Sequence, residues 1–267
     1  MTTESPITHA QLRVSVVIPT LNEERNLRHV LPLLPSFVDE VVIVDGRSSD
    51  GTVAETLRLR PDAMIVMEHR KGKGHALMSG FEAATGDIIV MLDADGSMDP
   101  AEIPAYVYAL LGGADYAKGS RFIHGGATRD MEWYRRIGNK VLGQAVRVAF
   151  GGRYSDLCYG YNAFWRDVLP LVAGEVPGFE VETFMNCRAL AAGLRIVEVP
   201  SVEAARIHGV SNLRTFRDGA RVLRTIVSEW RIHRDGYRPA PAPAPAPASP
   251  AGSDVPVGIS LHEAPTR

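Results

Sequence analysis

Ile88-Ile89-Val90-Met91-Leu92-Asp93-Ala94-Asp95 is a short apolar run of β character that carries two carboxylates, one residue apart, at its C-terminal end. On a strand, residues i and i+2 point to the same side, so Asp93 and Asp95 are expected to look into one space. Their mutual repulsion disfavours the pair unless a cation or hydrogen-bond donors fill that space. A hard divalent cation such as Mg2+ or Mn2+, held by one or two carboxylates and by a substrate's phosphates, meets that need. Taken alone, Asp-x-Asp also fits a solvated strand-to-loop junction.

The residues around this run decide the fold class. Val14-Ser15-Val16-Val17-Ile18-Pro19 is a buried-strand run stopped by proline, and Leu27, Val30, Leu31 and Leu34 follow at helical spacing. Glu40-Val41-Val42-Ile43-Val44-Asp45 is a second apolar run ending in an acid, followed by the turn residues Gly46, Ser48, Ser49, Asp50 and Gly51 and a helix from about Thr52. A third strand is expected over 63–67, a helix over 74–84, and the fourth strand over 88–92. Strands alternating with helices imply right-handed βαβ units and a mostly parallel sheet covered on both faces. Such sheets bind ligands beyond the carboxyl ends of their strands, where Asp45, Asp93 and Asp95 all fall.

Val-Ile-Pro-Thr-Leu-Asn-Glu at 17–23, Val-Val-Ile-Val-Asp-Gly-Arg-Ser-Ser-Asp-Gly-Thr at 41–52, Lys-Gly-Lys-Gly at 71–74 and Asp-Ala-Asp-Gly at 93–96 resemble, in order and spacing, the successive signatures of family 2 glycosyltransferases. Gly119-Ser120-Arg121-Phe122 and the segment 206–213 resemble the polyprenyl-phosphate (dolichol-phosphate) mannose synthase branch. The resemblance spans roughly residues 13 to 230 and is stronger in the first half. It implies a GT-A-type, Rossmann-like single α/β domain over 13–235, after a flexible N-terminus at 1–12 and before a Pro/Ala-rich tail at 236–267. It also implies an inverting transfer of a hexose from a nucleotide diphosphate sugar, of GDP-mannose or UDP-glucose type, to an acceptor.

Composition agrees and sets limits. A chain of 267 residues, 45% hydrophobic, can bury a full core, and a net charge of −2 argues against a general nucleic-acid binder. Cys158 and Cys187 lack metal-ligand spacing, which points to a reduced, cytoplasmic setting rather than a disulfide framework. The first fifteen residues contain Glu4, His9 and Arg13 and no apolar signal core, and no apolar stretch approaches the ~20 residues of a membrane helix. Alternating Pro and Ala from Pro239 favour an extended, solvated tail.

For the donor site, the resemblance implies that Pro19, which stops the first strand, and Thr20, Asn22 and Glu23, in the loop behind it, contact base and ribose. Glu23 also suits the first turn of a helix. Asp45 resembles the family's base-contacting acid, since a carboxylate accepts from the N–H edge of uracil or guanine; Gly46 stands where a second acid is usual. Lys71, Lys73 and the helix start at Gly74 form a candidate diphosphate cradle, distinct from a P-loop, with a solvated basic turn as the plain alternative. Asp95 is the candidate metal ligand, with Asp93 facing the ribose or the metal through water. Ser97 stands where the branch often has a longer amide, and Asp99 and Pro100 read as the cap and first residue of a helix.

The acceptor is decided further on. Arg121, Arg135 and Arg136 resemble the arginines with which polyprenyl-phosphate transferases hold the acceptor phosphate, and Arg206, at the head of the second resembling segment, is a candidate substrate-binding residue. A phosphate is already anionic near neutral pH and attacks without a strong base. A hydroxyl acceptor on a saccharide or small metabolite needs a carboxylate, for which Glu182 or Glu180 is the candidate; both also suit a helix's first turn. A third reading is a nucleotide-sugar-binding protein without catalysis. A last helix over about 213–230 carries Phe216, Ala220, Leu223, Ile226, Val227 and Trp230 on an apolar stripe expected to pack on the domain. Between Arg206 and Arg238 stand eight arginines against three acids. That excess suits peripheral contact with the anionic inner face of a membrane, or simply a solvated basic face.

Overall fold

The computed structural model describes residues 12–129, 131–209 and 215–236; the expected N-terminal segment up to residue 11 and the Pro/Ala tail from 237 lie outside the described residues. The chain runs β1 (Val14–Thr20), α1 (Glu24–Val30), β2 (Glu40–Asp45), α2 (Thr52–Leu59), β3 (Met64–Met67), α3 (Lys73–Ala83), β4 (Ile88–Met91) and α4 (Ile103–Leu111). It continues through β5 (Tyr116–Ser120), β6 (Ala127–Thr128), α5 (Trp133–Phe150), β7 (Asn162–Trp165), α6 (Leu169–Val172), α7 (Val181–Ala191), β8 (Ile196–Pro200), β9 (Val202–Glu203) and α8 (Thr215–Arg234).

Seven strands form one sheet in the order β3-β2-β1-β4-β7-β5-β8, and β6 pairs with β9 beside it. Within the large sheet β7 runs antiparallel to β4 and β5, and the other pairings are parallel. Burial on both faces explains the unbroken apolar runs. Val16 and Ile18 pack with Leu27 of α1 and Tyr106 of α4, while the intervening Val17 packs with Leu77 and Phe81 of α3 and Met185 of α7. Each such aliphatic side chain contributes about 1.5–3 kcal/mol through burial. A third cluster joins α5, α7 and α8 through Val146, Cys187, Val222 and Ile226.

Strand order reverses at β1, which sits between β2 and β4, and the crevice beyond that point is where open α/β sheets take their ligands. Two local expectations change. Pro19 does not stop β1, which runs on through Thr20, the two being paired with Val44 and Asp45. Pairing with β4 stops at Val17, so Pro19 sits where β1 has β2 as its sole ladder partner, the edge condition that a residue without N–H tolerates. β4 ends at Met91, so Asp93 and Asp95 belong to the following turn and not to the strand's alternation.

The last helix is Thr215–Arg234; Leu213, Arg214 and the side chain of Phe216 lie outside the described residues. Its buried line is Asp218, Val222, Ile226 and Glu229, whereas Ala220, Leu223 and Val227 of the expected packing stripe are exposed. The helix is turned so that Glu229 faces inward to Arg188, at 2.9 Å.

Candidate active site

The loops after β1 and β2 are knitted together by the polar residues that the sequence offers there. Asp45, 1% exposed, accepts from Ser48 N–H at 2.8 Å, Ser48 Oγ at 2.6 Å and Thr20 Oγ1 at 3.3 Å. Asn22 adopts a left-handed backbone (φ 58°), which asparagine tolerates, and its Oδ1 accepts from Ser49 N–H at 2.7 Å. The oxygens of Thr20, Asn22 and Asp45 are thus engaged in holding the loops, and none of the three lines the cavity at the end of β4.

Lys71 and Lys73 part company at the start of α3. Lys71 is exposed. Lys73 begins the helix inside the molecule, because α3 runs directly against the segment before α7. Gly74 N–H donates to Pro177 O at 3.1 Å, and a Cβ on Gly72 or Gly74 would fall 1.8 or 1.7 Å from the carbonyl oxygen of Pro177 or Val176. These glycines allow backbone to meet backbone; the N–H expected to face a diphosphate is already used.

The approach carries Glu182, in the first turn of α7, to Lys73. Lys73 Nζ lies 2.6 Å from Asp93 Oδ1 and 2.8 Å from Glu182 Oε1. Burial works against the ammonium charge, but the two carboxylates outweigh it and hold Lys73 well above the ordinary lysine range. Burial raises Asp93 beyond what Lys73 restores, with Asp95 and Glu182 adding like charge.

Asp95 is held from the other side. Its Oδ2 lies 2.8 Å from Arg206 Nη2, and its Oδ1 accepts from Ser97 N–H at 2.9 Å. Arg206 Nη1 also reaches Glu23 Oε1 at 3.2 Å, so one guanidinium joins the turns after β1 and β4. Burial raises the Glu23 pKa, against the lowering effect of Asn26 and Arg206. The strap that carries Arg206 is fixed by Ala204 N–H to Ser97 O at 2.9 Å and Ile207 N–H to Asp95 O at 3.1 Å.

Asp93 and Asp95 are all-oxygen, hard donors open to the same cavity. Among the described residues no group of three or more His, Cys, Asp or Glu is placed to hold a metal ion. The donor set therefore fits a divalent cation that takes its remaining ligands from a bound phosphate, and does not fit an all-protein cage.

On the far wall Arg121, just after β5, is deeply committed. Its Nε and Nη2 donate to Asp156 at 2.6 and 2.9 Å, its Nη1 to Glu203 Oε1 at 2.8 Å, and its face lies 4.6 Å from the Tyr159 ring centre. Asn139 of α5 donates to Asp156 at 3.2 Å. Burial alone would raise Asp156, but Arg121 holds it below the usual carboxylate range. Arg121 is the centre of a buried network as much as a cavity residue.

Arg135 is half-buried on the cavity wall and makes no ion pair among the described residues. The neighbouring Arg136 points elsewhere, lying over the Phe122 ring at 5.4 Å in a separate groove. Glu180 is buried at the cap of α7 and does not line the cavity. The structure therefore gathers Lys73, Asp93, Asp95, Arg121, Arg135, Glu182 and Arg206 around one cavity, with Glu23 behind Arg206. Sequence reasoning missed Asp156, Asn139, Tyr159 and Glu203. A charged residue in a segment without apolar periodicity gives no local signal of its partner.

The fold and the site together define a GT-A-type glycosyltransferase domain. Among solved structures it is similar to glucosyl-3-phosphoglycerate synthase of Mycobacterium tuberculosis in complex with Mn2+, UDP and glucosyl-3-phosphoglycerate, with a TM-score of 0.65 and 25% identity over 83% of this chain and 81% of that one. Residues 15–170 match the profile of glycosyl transferase family 2, and the chain belongs to that family. It is 33% identical to the polyprenol monophosphomannose synthase of Mycolicibacterium smegmatis, over 82% of this chain and 87% of the relative. It is 31% identical to the dolichol-phosphate mannosyltransferase of Pyrococcus furiosus over 76% of its own length, and spans 60% of that longer relative. No helix among the described residues is long and apolar enough to cross a membrane.

Proposed function

We propose that this glycosyltransferase moves a hexose, with inversion, from a nucleotide diphosphate sugar of GDP-mannose or UDP-glucose type to a polyprenyl phosphate, with Mg2+ or Mn2+. In this reading it works as a peripheral protein at the cytoplasmic face of a membrane. The observation that carries the acceptor assignment is Arg135, a half-buried guanidinium on the cavity wall, uncommitted to any carboxylate among the described residues. A planar fork of donors suits a phosphate. The name of the Mycolicibacterium relative supports the same acceptor class.

Asp95 and Asp93 would hold the divalent cation, which supplies Lewis-acid stabilisation of the departing diphosphate. Arg206 and Lys73 border the same space, and diphosphate oxygens can share the guanidinium and ammonium donors now given to carboxylates. Arg121 fixes the wall beside Arg135. A phosphate monoester brings its own negative charge to the anomeric carbon, so this route needs no proton acceptor, and Glu182 remains the partner of Lys73.

The likeness to glucosyl-3-phosphoglycerate synthase favours a second reading, transfer to the hydroxyl of a small phosphorylated metabolite, in which Glu182 takes the proton. Arg135→Ala and Glu182→Gln separate the two when transfer rate and donor affinity are both measured. The lipid-phosphate reading expects Arg135→Ala to lower transfer with donor affinity retained and Glu182→Gln to weaken it less. Abolished transfer in Glu182→Gln beside an active Arg135→Ala would replace it with the hydroxyl reading.

A further inference from the structure

We propose that Lys118 is a positioning residue for the acceptor side of the cavity, where its ammonium ties the segment 156–160 to the end of β5. The role presupposes the proposed function, in which a phosphate-bearing acceptor meets this wall. Lys118 is 0% exposed, and its Nζ donates to Gly119 O and to Tyr159 O, each at 2.8 Å. Lysine is almost never fully buried unless it is paired, and here both partners are neutral carbonyls. Methionine would fill similar space without the cost of burying a charge. The ammonium is therefore explained by the two carbonyls that it joins.

The segment it holds faces the substrate. Cys158, Tyr159 and Gly160 line the catalytic cavity, and Asp156 supplies the fork that grips Arg121. The Tyr159 ring centre lies 4.6 Å from the Arg121 guanidinium and 5.7 Å from Lys118 Nζ, so both cations bear on one ring. Gly119 N–H donates to Tyr161 O at 2.8 Å, and a Cβ on Gly119 would fall 2.6 Å from that same oxygen. Strand and segment thus meet backbone to backbone, and a displaced Tyr159 carbonyl would carry the wall with it.

The tie is also titratable. Burial pushes the Lys118 pKa down to about 8, with Arg121 adding to the fall and Asp156, Glu198 and Cys158 opposing it. Those four and Tyr159 are the charged or titratable groups around it. Arg121 holds Asp156 below the usual carboxylate range, and burial pushes Cys158 up to about 12 and Tyr159 higher still. Lys118 is the group here whose charge changes between about pH 7 and 9.5. Once it loses the proton, its hydrogen bonds are no longer charge-assisted and the wall is held less firmly.

The test measures hexose transfer by the native full chain and by Lys118→Met from about pH 7 to 9.5. Donors are GDP-mannose and UDP-glucose, and acceptors are polyprenyl phosphate and 3-phosphoglycerate. On the acceptor that takes the hexose, Lys118→Met should raise the acceptor KM by about tenfold, the scale of a lost charge-assisted hydrogen bond. The kcat and the affinity for free GDP or UDP should change far less. In the native chain the acceptor KM should climb toward the variant's value as pH rises through about 8, while the variant stays flat. Amide hydrogen exchange should quicken at 156–160 in the variant and not at 93–97. A native acceptor KM that does not climb overturns the proposal, whether or not the variant folds. So does the same climb in the variant, or an equal loss of acceptor and nucleotide binding. Transfer by the native chain to neither acceptor is a failure of the proposed function, and unaltered exchange at 156–160 would then overturn the tie as well.

Discussion

The cavity has two walls built from the same residue types. At the strand ends, Lys73 and Arg206 are held by Asp93, Glu182, Asp95 and Glu23, and both cations keep 14% and 24% of their side chains open. On the far wall Arg121 and Asp156 are 6% and 0% exposed, in a fork of two short hydrogen bonds backed by Asn139. The rim pairs line the cavity, so a ligand oxygen can take the place of a carboxylate there without leaving either cation unpaired. The closed pair cannot, since each partner would be left as an unpaired buried charge. Ion pairs at the strand-end rim are therefore exchangeable, and the one under the far wall is a brace.

The largest effect expected from this contrast is on stability. Asp156→Ala should destabilise the fold by about 3–5 kcal/mol, because it leaves the Arg121 guanidinium buried without its fork. Denaturant unfolding measures this directly, and a loss below about 1 kcal/mol would erase the distinction between the walls. Asp95→Ala sits on the other side of the comparison. It should leave the unfolding midpoint near that of the native chain and lower transfer by about 10²–10³-fold. A variant that unfolds early and transfers normally would show the rim to be the brace.

Arg135→Ala sharpens the acceptor wall further. It should cost about tenfold or more in transfer, the scale of a lost charge-assisted hydrogen bond, with stability and donor affinity close to unchanged. Arg121→Ala, in contrast, should lose stability together with transfer. Equal unfolding curves for the two variants would contradict the different roles given to them.

The smallest effect concerns pH. Lys118, fully buried, donates to the carbonyls of Gly119 and Tyr159, each at 2.8 Å, and burial pushes its pKa down to about 8 from 10.5, only partly opposed by Asp156. Between these values the unfolded chain binds the proton that the folded chain has released, so this group makes stability rise with pH across that window. Lys118→Met should remove the rise. Parallel pH profiles for the two proteins would place the Lys118 pKa elsewhere.

Much of the donor half was legible because its signals are local. Apolar runs ending in Pro19, Asp45 and Asp93 announce strands and their rims within a few residues, and the family resemblance drawn from those motifs is borne out by the profile match. The ion-pair partners were not legible, because folding joins them across the chain. Arg121 meets Asp156 and Glu203 from 35 and 82 positions away, and Arg206 meets Glu23 from 183. The same remoteness misled the reading of Gly72 and Gly74. They do resemble a phosphate-binding turn, yet their missing side chains make room for the backbone at 176–177.

The central claim is transfer of a hexose from a nucleotide diphosphate sugar to a polyprenyl phosphate. It is tested most directly by incubating the purified full chain and a divalent cation with GDP-mannose or UDP-glucose, against polyprenyl phosphate, 3-phosphoglycerate and saccharide acceptors, and weighing the products. The account predicts a new species heavier than the polyprenyl phosphate by one hexosyl residue, absent when Asp95→Ala replaces the native chain. Hexose found only on 3-phosphoglycerate or a saccharide, with the lipid phosphate untouched under every donor, would contradict it.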